Sequence, residues 1–413
     1  MTTDPVDAVE QAVAAVAVWE PSVHAFAHLD PARARAEAHA AHASGPLAGL
    51  VLGVKDVFDT ADQPTSYGSP IYTGFRPRAD AAAVALLRAA GAVVLGKTVT
   101  AELAVFHPGA TANPHRGGHT PGGSSSGSAA AVACGMADVA LGTQTAGSVI
   151  RPASYCGVFG FKPTFGTVAT SGVKVVAPSL DTVGWFARDV PTLDRLRVAL
   201  TGRTTARLGR TEWPPRMALV RTGKWVDATS DTRVAVAEAA RRASDAGAAV
   251  VDHALSPELD ALVDDQTVVM VYELARSFAW EWDTHRDQLS STLQGLIQRG
   301  LATEPGEYDA IRARVLAARA DVDRVFTDAG VDALLTPAAD GEAPAGLHAT
   351  GNPRFARLWT LLGLPAVAVP GITGASGLPV GVQLVGRHGH DASLLTTAQW
   401  LARVLPRAPS PIP

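Results

Sequence analysis

Short apolar runs separated by longer stretches of mixed polarity set the pattern of this chain. Leu50–Val54, Ala92–Leu95, Val139–Leu141, Ala218–Val220, Ala333–Leu335, Ala366–Val369 and Val380–Val385 are nearly continuous apolar runs. Runs that short read as strands. The chain reads as helix over Ala81–Ala90, Pro257–Arg299, Tyr308–Thr327 and Ala392–Val404. Asp4-Pro5, Asp30-Pro31 and Ser256-Pro257 are helix starts, an N-cap followed by Pro at the first helical position. The first two open helices over Pro5–Val18 and Pro31–Ala43, which makes 1–45 a helical N-terminal segment. The helix–Gly–strand unit at Ala81–Leu95 recurs at Val234–Val251, without the fixed period of a solenoid. Strands and helices alternate throughout and no Pro/Ser-rich linker divides them. The expectation is one large α/β domain over 1–413 with a mixed sheet. Arg203–Pro215 is the only plausible surface excursion.

One stretch, 122–163, breaks the pattern. It runs from a Gly/Ser loop, Gly122–Ser128, through the small residues Ser128–Met136, which read as a tightly buried helix, to the apolar run Val139–Leu141. A glycine-containing turn, Gly142–Gly147, follows, and Ser148 is expected to begin a helix through Tyr155. Gly and Ser dominate where a backbone comes close to a ligand or takes unusual dihedrals. A Ser at such a turn sits among backbone N–H groups without partners, the setting for a serine nucleophile with an oxyanion hole.

Composition narrows the partners. The chain has 413 residues, 47% hydrophobic and 18% charged, with a formal net charge of −4. That is enough apolar material for a large core, and nothing in the charge favours nucleic acid or an anionic membrane. Its two cysteines, Cys134 and Cys156, have no CxxC companions, so no zinc site or disulfide framework is expected. No apolar run reaches membrane-spanning length, and the acidic start MTTDPVDAVEQ lacks the basic opening of a signal peptide. A cytoplasmic protein is the expectation.

Three generic motifs occur but lack their context. Gly91–Thr98 (GAVVLGKT) matches a phosphate-binding loop, yet its variable residues are the strand itself. Gly123–Gly127 (GSSSG) centres a nucleophile elbow on Ser125, but the loop His115–Pro121 precedes it rather than a strand. Ser171–Lys174 (SGVK) is not continued as a helix. His115 and His119 lie among Gly and Pro, so loop contacts are expected rather than a metal pair. With no convincing Ser-His-Asp set, the base for an activated serine falls to a lysine whose amine is neutralised by burial. Lys55 ends the Leu50–Val54 run and is either that base or a solvated surface charge.

Gly122–Ser128, Gly142–Ser148 and Arg151–Pro152, with Lys55 in VLGVKD and the C-terminal GLPVGVQLVG, resemble the amidase signature family of serine hydrolases over nearly the whole chain. The compact length and SVIRPA look most like the malonamidase type. The resemblance implies a central mixed twisted β-sheet covered by helices on both faces. It also implies a triad of Lys55, a cis Ser124 and the nucleophile Ser148. The oxyanion hole would be made by the N–H groups of Thr145, Ala146, Gly147 and Ser148. Many members read G-T-D-x-G-G-S-x-R. Here Gln144 replaces the Asp, Ala146 a Gly, and Arg151 lies three rather than two residues after the serine. Arg151 then either binds a substrate carboxylate or serves as scaffold. If Ser148 starts a helix, the two side chains share a face.

The expected function is hydrolysis of a small carboxylic amide through a Ser148 acyl-enzyme, with malonamate-like amides preferred. No cofactor or metal is implied. The expected partner is the small-molecule amide, with no nucleic acid and no membrane; a homodimer is possible. The alternatives are the glutaminase-type subunit of a tRNA-dependent amidotransferase, whose members are usually longer, and a non-catalytic scaffold, which requires a broken triad.

Overall fold

The computed structural model describes residues 4–40, 45–203 and 214–412. Eleven strands form one sheet: β1 (Phe26–Leu29), β2 (Val51–Lys55), β3 (Val93–Thr98), β4 (Val139–Gln144), β5 (Phe159–Lys162), β6 (Thr182–Ala187), β7 (Arg216–Val220), β8 (Ala249–His253), β9 (Ala333–Pro337), β10 (Ala366–Thr373) and β11 (Pro379–Val385). Their order is β1-β3-β2-β4-β6-β5-β10-β11-β9-β7-β8. β3, β2 and β4 are parallel, as are β9, β7 and β8, and antiparallel pairings join these blocks through the middle of the sheet. The chain is thus a single α/β domain on a large mixed sheet.

Period-2 alternation explains why both faces are covered. On β4, Val139 and Leu141 enter one apolar cluster and Ala140 the other; on β7, Met217 and Leu219 oppose Ala218 and Val220. The first cluster is closed by the helices Ala82–Ala89, Val190–Thr201, Ser230–Asp245 and Asp391–Val404. The second is closed by Ser126–Ala133, Ile150–Cys156, Pro257–Ser277, Pro305–Asp328 and Arg357–Leu361. Strands buried on both faces read as continuous apolar runs. The edge strands β1 and β8 are partly exposed.

Several boundaries differ from the sequence reading. Gly142–Gln144 is strand, paired with Thr182–Gly184 of β6, so the turn begins at Thr145. Ser148 does not begin the helix, which runs Ile150–Cys156. The small-residue helix starts earlier, at Ser126, and stops at Ala133 before Gly135. The first helix continues through Pro21 to Val23 and ends at a left-handed His24. The expected Pro257–Arg299 helix is broken into Pro257–Ser277, Ala279–Thr284 and Ser291–Ala302. The segment 1–45 also contributes β1. Most of Arg203–Pro215 lies outside the described residues.

Helix Ser291–Ala302 crosses Pro257–Ser277 at Gly300, where an added Cβ would stand 1.9 Å from the Val271 carbonyl oxygen. Gly300→Ala should force the helices apart and lower stability by about 1–3 kcal/mol, read as a lower melting temperature.

Candidate active site

β2 and β4 are parallel neighbours, so their carboxyl ends deliver Lys55 and Thr143 to the same place. Lys55 is fully buried. Its Nζ lies 2.8 Å from Ser124 Oγ and 2.7 Å from Thr143 Oγ1. Burial pushes the amine down to about 7, with the negative charge of Asp181 acting the other way. A neutral amine has a lone pair that accepts a proton from a hydroxyl. On the adjacent strand, Lys97 is buried too but differs in its partners. It pairs with Asp56 at 3.1 Å and donates to the Phe58 carbonyl and Thr65 Oγ1. The GAVVLGKT match is therefore a turn and β3, with its lysine in an internal ion pair. Lys174 of SGVK likewise pairs with Glu281.

Ser124 is brought to Lys55 by a glycine pair. Gly122 has φ +80°, and a Cβ there would stand 2.8 Å from Pro152 Cα. The Gly123–Ser124 peptide is cis. Ser125, the centre of the elbow match, is buried behind the site with its Oγ near the Thr143 carbonyl.

The turn Thr145–Ser148 is held from outside. Gln266 Nε2 donates to the Thr145 carbonyl at 2.9 Å and Thr360 Oγ1 to the Ala146 carbonyl at 2.8 Å. Gln144 Oε1 accepts from the N–H groups of Val149 and Ile150, at 2.9 and 3.0 Å, while its Nε2 donates to Thr360. Thr145 Oγ1 donates to Asp181 at 2.6 Å, and that carboxylate also accepts from the backbone of Val176 and Ala177. Burial pushes Asp181 up to about 6 against these hydrogen bonds. The backbone N–H groups of Thr145, Ala146, Gly147 and Ser148 donate to no acceptor among the described residues. Successive free backbone donors are what an anion-binding concavity requires.

Arg151 is buried and linked to both sides of this turn. Its Nε donates to the Thr350 carbonyl at 2.6 Å and one terminal nitrogen to the Gly123 carbonyl at 2.5 Å. The other terminal nitrogen has no partner among the described residues. It lies 3.3 Å from where a Cβ on Gly147 would stand. Burial lowers the guanidinium to about 10, which leaves it cationic at neutral pH. Gln144, in the position of the family's Asp, is spent on the turn and Thr360, and offers Arg151 no charge.

Ser124, Ser148, Arg151, Thr145, Ala146 and Met270 line one small cavity of about 20 Å³. No hydrogen bond joins the Ser124 and Ser148 hydroxyls among the described residues, although both residues line this space. The residues named from the sequence thus meet here: Lys55 behind Ser124, the turn Thr145–Ser148, and Arg151 beside it at Gly147. Sequence reasoning missed Thr143, Asp181, Gln266, Thr350 and Thr360. Gln266 leaves a trace, a polar residue at a buried position of the helix Pro257–Ser277. The others act through contacts distant in the chain.

The family model described as Amidase matches residues 7–395. The glutamyl-tRNA(Gln) amidotransferase subunit of Anaeromyxobacter sp. (strain K) is 34% identical, over 98% of this chain and 93% of that protein. The crystal structure of an amidase superposes with a TM-score of 0.87 at 30% identity, over 98% of this chain and 96% of the other. The native peptide amidase of Stenotrophomonas maltophilia gives 0.82 at 28% identity, over 99% and 95%.

Gln144→Leu keeps the volume but leaves the buried N–H groups of Val149 and Ile150 without an acceptor. The variant should lose about 1–3 kcal/mol of stability in a denaturant melt, together with activity, because the turn loses its support.

Proposed function

The chain belongs to the amidase family and is an amide-hydrolysing enzyme; from that premise we propose that it cleaves a small amide bearing a carboxylate, through a Lys55–Ser124–Ser148 relay. The observation that carries the relay is Lys55: a buried amine with two hydroxyl partners, one of them on a serine that lines the cavity of Ser148. Neutral Lys55 takes the Ser124 proton, Ser124 takes the Ser148 proton, and Ser148 Oγ bonds to the scissile carbonyl carbon. The carbonyl oxygen becomes an oxyanion in the concavity formed by the N–H groups of Thr145–Ser148. The relay then runs backward, giving the proton to the leaving nitrogen as the C–N bond breaks. Water, deprotonated by the same relay, releases the acid from Ser148 and restores the starting state.

Arg151 supplies the specificity in this reading. A buried guanidinium with a free N–H and no acidic partner among the described residues favours an anionic group on the substrate. The run SVIRPA and its spacing support a malonamidase-type substrate, an acid one carbon from the scissile carbonyl. The curated relatives favour a second reading more directly, that of the amidotransferase subunit. Glutamine is itself a carboxylate-bearing amide, so Arg151 has the same task in both. The alignment with that relative spans 464 positions, more than the 413 residues here, so the relative carries segments this chain lacks. Ammonia release from malonamate by the chain alone supports the hydrolase. Release only from glutamine, with a co-purifying partner, supports the subunit.

Three outcomes are expected. Activity on a small amide should rise with pH through an apparent pKa near 7, because the relay needs Lys55 unprotonated. Ser148→Ala should abolish turnover without changing the melting temperature, and Lys55→Ala should cost several orders of magnitude. A flat pH profile together with a mild Lys55→Ala defect would place the base elsewhere.

Arg151→Ala should reduce kcat/KM for an acidic amide roughly ten- to a hundred-fold more than for its neutral counterpart, and Arg151→Lys should restore only part. An equal loss for both substrates, with a lower melting temperature, is the signature of a scaffold residue instead.

A further inference from the structure

We infer that a second cavity beside the nucleophile accepts an apolar substituent on the leaving nitrogen, so that the preferred substrate is a secondary amide rather than a primary one. The inference rests on the hydrolase reading above and extends it to the amine side of the substrate.

The space around Ser148 is about 20 Å³, and a single water needs roughly 10–15 Å³ on this scale. On that scale it has room for little more than the reacting carbonyl, and none for bulk. Its lining residues are all buried except Phe106, which is partly exposed. Next to it lies a cavity of about 360 Å³, within the ordinary range for small-molecule sites. For scale, an apolar cavity of roughly 150 Å³ holds benzene. Thr145 and Val176 line both spaces, so the two adjoin there. The walls of the larger one are mainly apolar, with Val168, Val173 and Val183 prominent, and its rim at Ala169, Thr170 and Val175 is exposed to solvent. The space that adjoins the nucleophile's cavity and has a solvent-exposed rim is therefore an apolar chamber.

The charged groups in that chamber are already engaged. Both Asp181 oxygens accept hydrogen bonds, from Thr145 Oγ1 and from the backbone of Val176 and Ala177. Lys174 is paired with Glu281. The chamber thus offers an occupant apolar contact rather than a charge partner.

Which end of the substrate it takes follows from the relay. Thr143, the second hydroxyl partner of Lys55, lines the large chamber, whereas Arg151 lines only the small cavity. Ser124, which returns the proton, shares the small cavity with Arg151; with the acyl carboxylate at Arg151, the leaving nitrogen is placed towards the hydroxyl pair of Lys55, of which Thr143 lines the chamber. A substituent on that nitrogen then extends past Thr143 and Thr145 into the chamber.

The test compares malonamate with N-benzylmalonamate, which share an acyl group and differ in the amine. Wild type should favour the benzyl compound in kcat/KM by at least about tenfold, as expected for burying a phenyl group. Ala169→Trp, at the solvent-exposed rim, should reduce that ratio severalfold, with a melting curve as the check on folding; Thr170→Trp serves if the first variant is unstable. Equal handling of the two amides, or a ratio that neither variant moves, would overturn the inference. The pair acetamide and N-benzylacetamide separates the two ideas: loss of the acid preference with the benzyl preference retained refutes only the Arg151 role. Should no amide be turned over, calorimetric binding of malonamate and N-benzylmalonamate to Ser148→Ala reads the chamber directly, and equal affinities refute it.

Discussion

The desolvation of one amine is the constraint on which the site depends. Lys55 has given up water for two hydroxyls and no carboxylate, which costs the ammonium form its advantage: lowering from 10.5 to about 7 corresponds to about 5 kcal/mol. Lys97, on the next strand and equally enclosed, shows the alternative. There an adjacent Asp56 resists the effect of burial, and the residue serves as an internal ion pair. Two buried lysines one strand apart therefore differ in chemistry because one has an acid within 4 Å. Asp181 acts on Lys55 only from a distance, through its field, while its oxygens are occupied by the Thr145 side chain and two backbone amides.

A neutral base is of use only if the groups it serves are held still. The turn after β4 is fixed from outside by donors on its carbonyls, Gln266 to Thr145 and Thr360 to Ala146, while its N–H groups have no acceptor among the described residues. Gln144 completes the arrangement by taking the N–H groups that follow the turn. A neutral amide suffices for that, and it removes the acid that could otherwise neutralise Arg151. The substitution of Gln for Asp thus links two features of the sequence: the helix start stays capped, and the guanidinium stays without a countercharge.

How far this was legible in the sequence depends on the range of the contacts. The buried strands announced themselves as apolar runs because they are covered on both faces, and the Asp-Pro and Ser-Pro starts marked their helices. β1, β5 and β6 were not recognised. β1 is a partly exposed edge strand, and β5 and β6 are short pieces rich in Gly and aromatic residues whose assignment needs their sheet neighbours. The extension of β4 to Gln144 depends on pairing with Thr182–Gly184, so Gly142 looked like a turn. The residues around the nucleophile could be named from local motifs. Their supports could not, because Gln266 reaches Thr145 across 121 positions and Thr360 reaches Ala146 across 214.

The groups of the site are a set of unmet demands of one sign. Among the described residues four amides lack acceptors, one guanidinium nitrogen has no partner, and no acid lies close enough to Lys55 to form an ion pair. Leaving such groups buried lowers stability, and the surrounding fold, with its two apolar clusters, supplies the excess that tolerates it. In the reaction proposed above, what the groups share is an affinity for negative charge: a carboxylate at Arg151 and a developing oxyanion at the turn. The first is met when substrate binds, and the second only as the tetrahedral species forms. The arrangement therefore divides its binding energy between holding the substrate and lowering the barrier. The amides at the turn, whose acceptor appears in the transition state, are the part spent on rate.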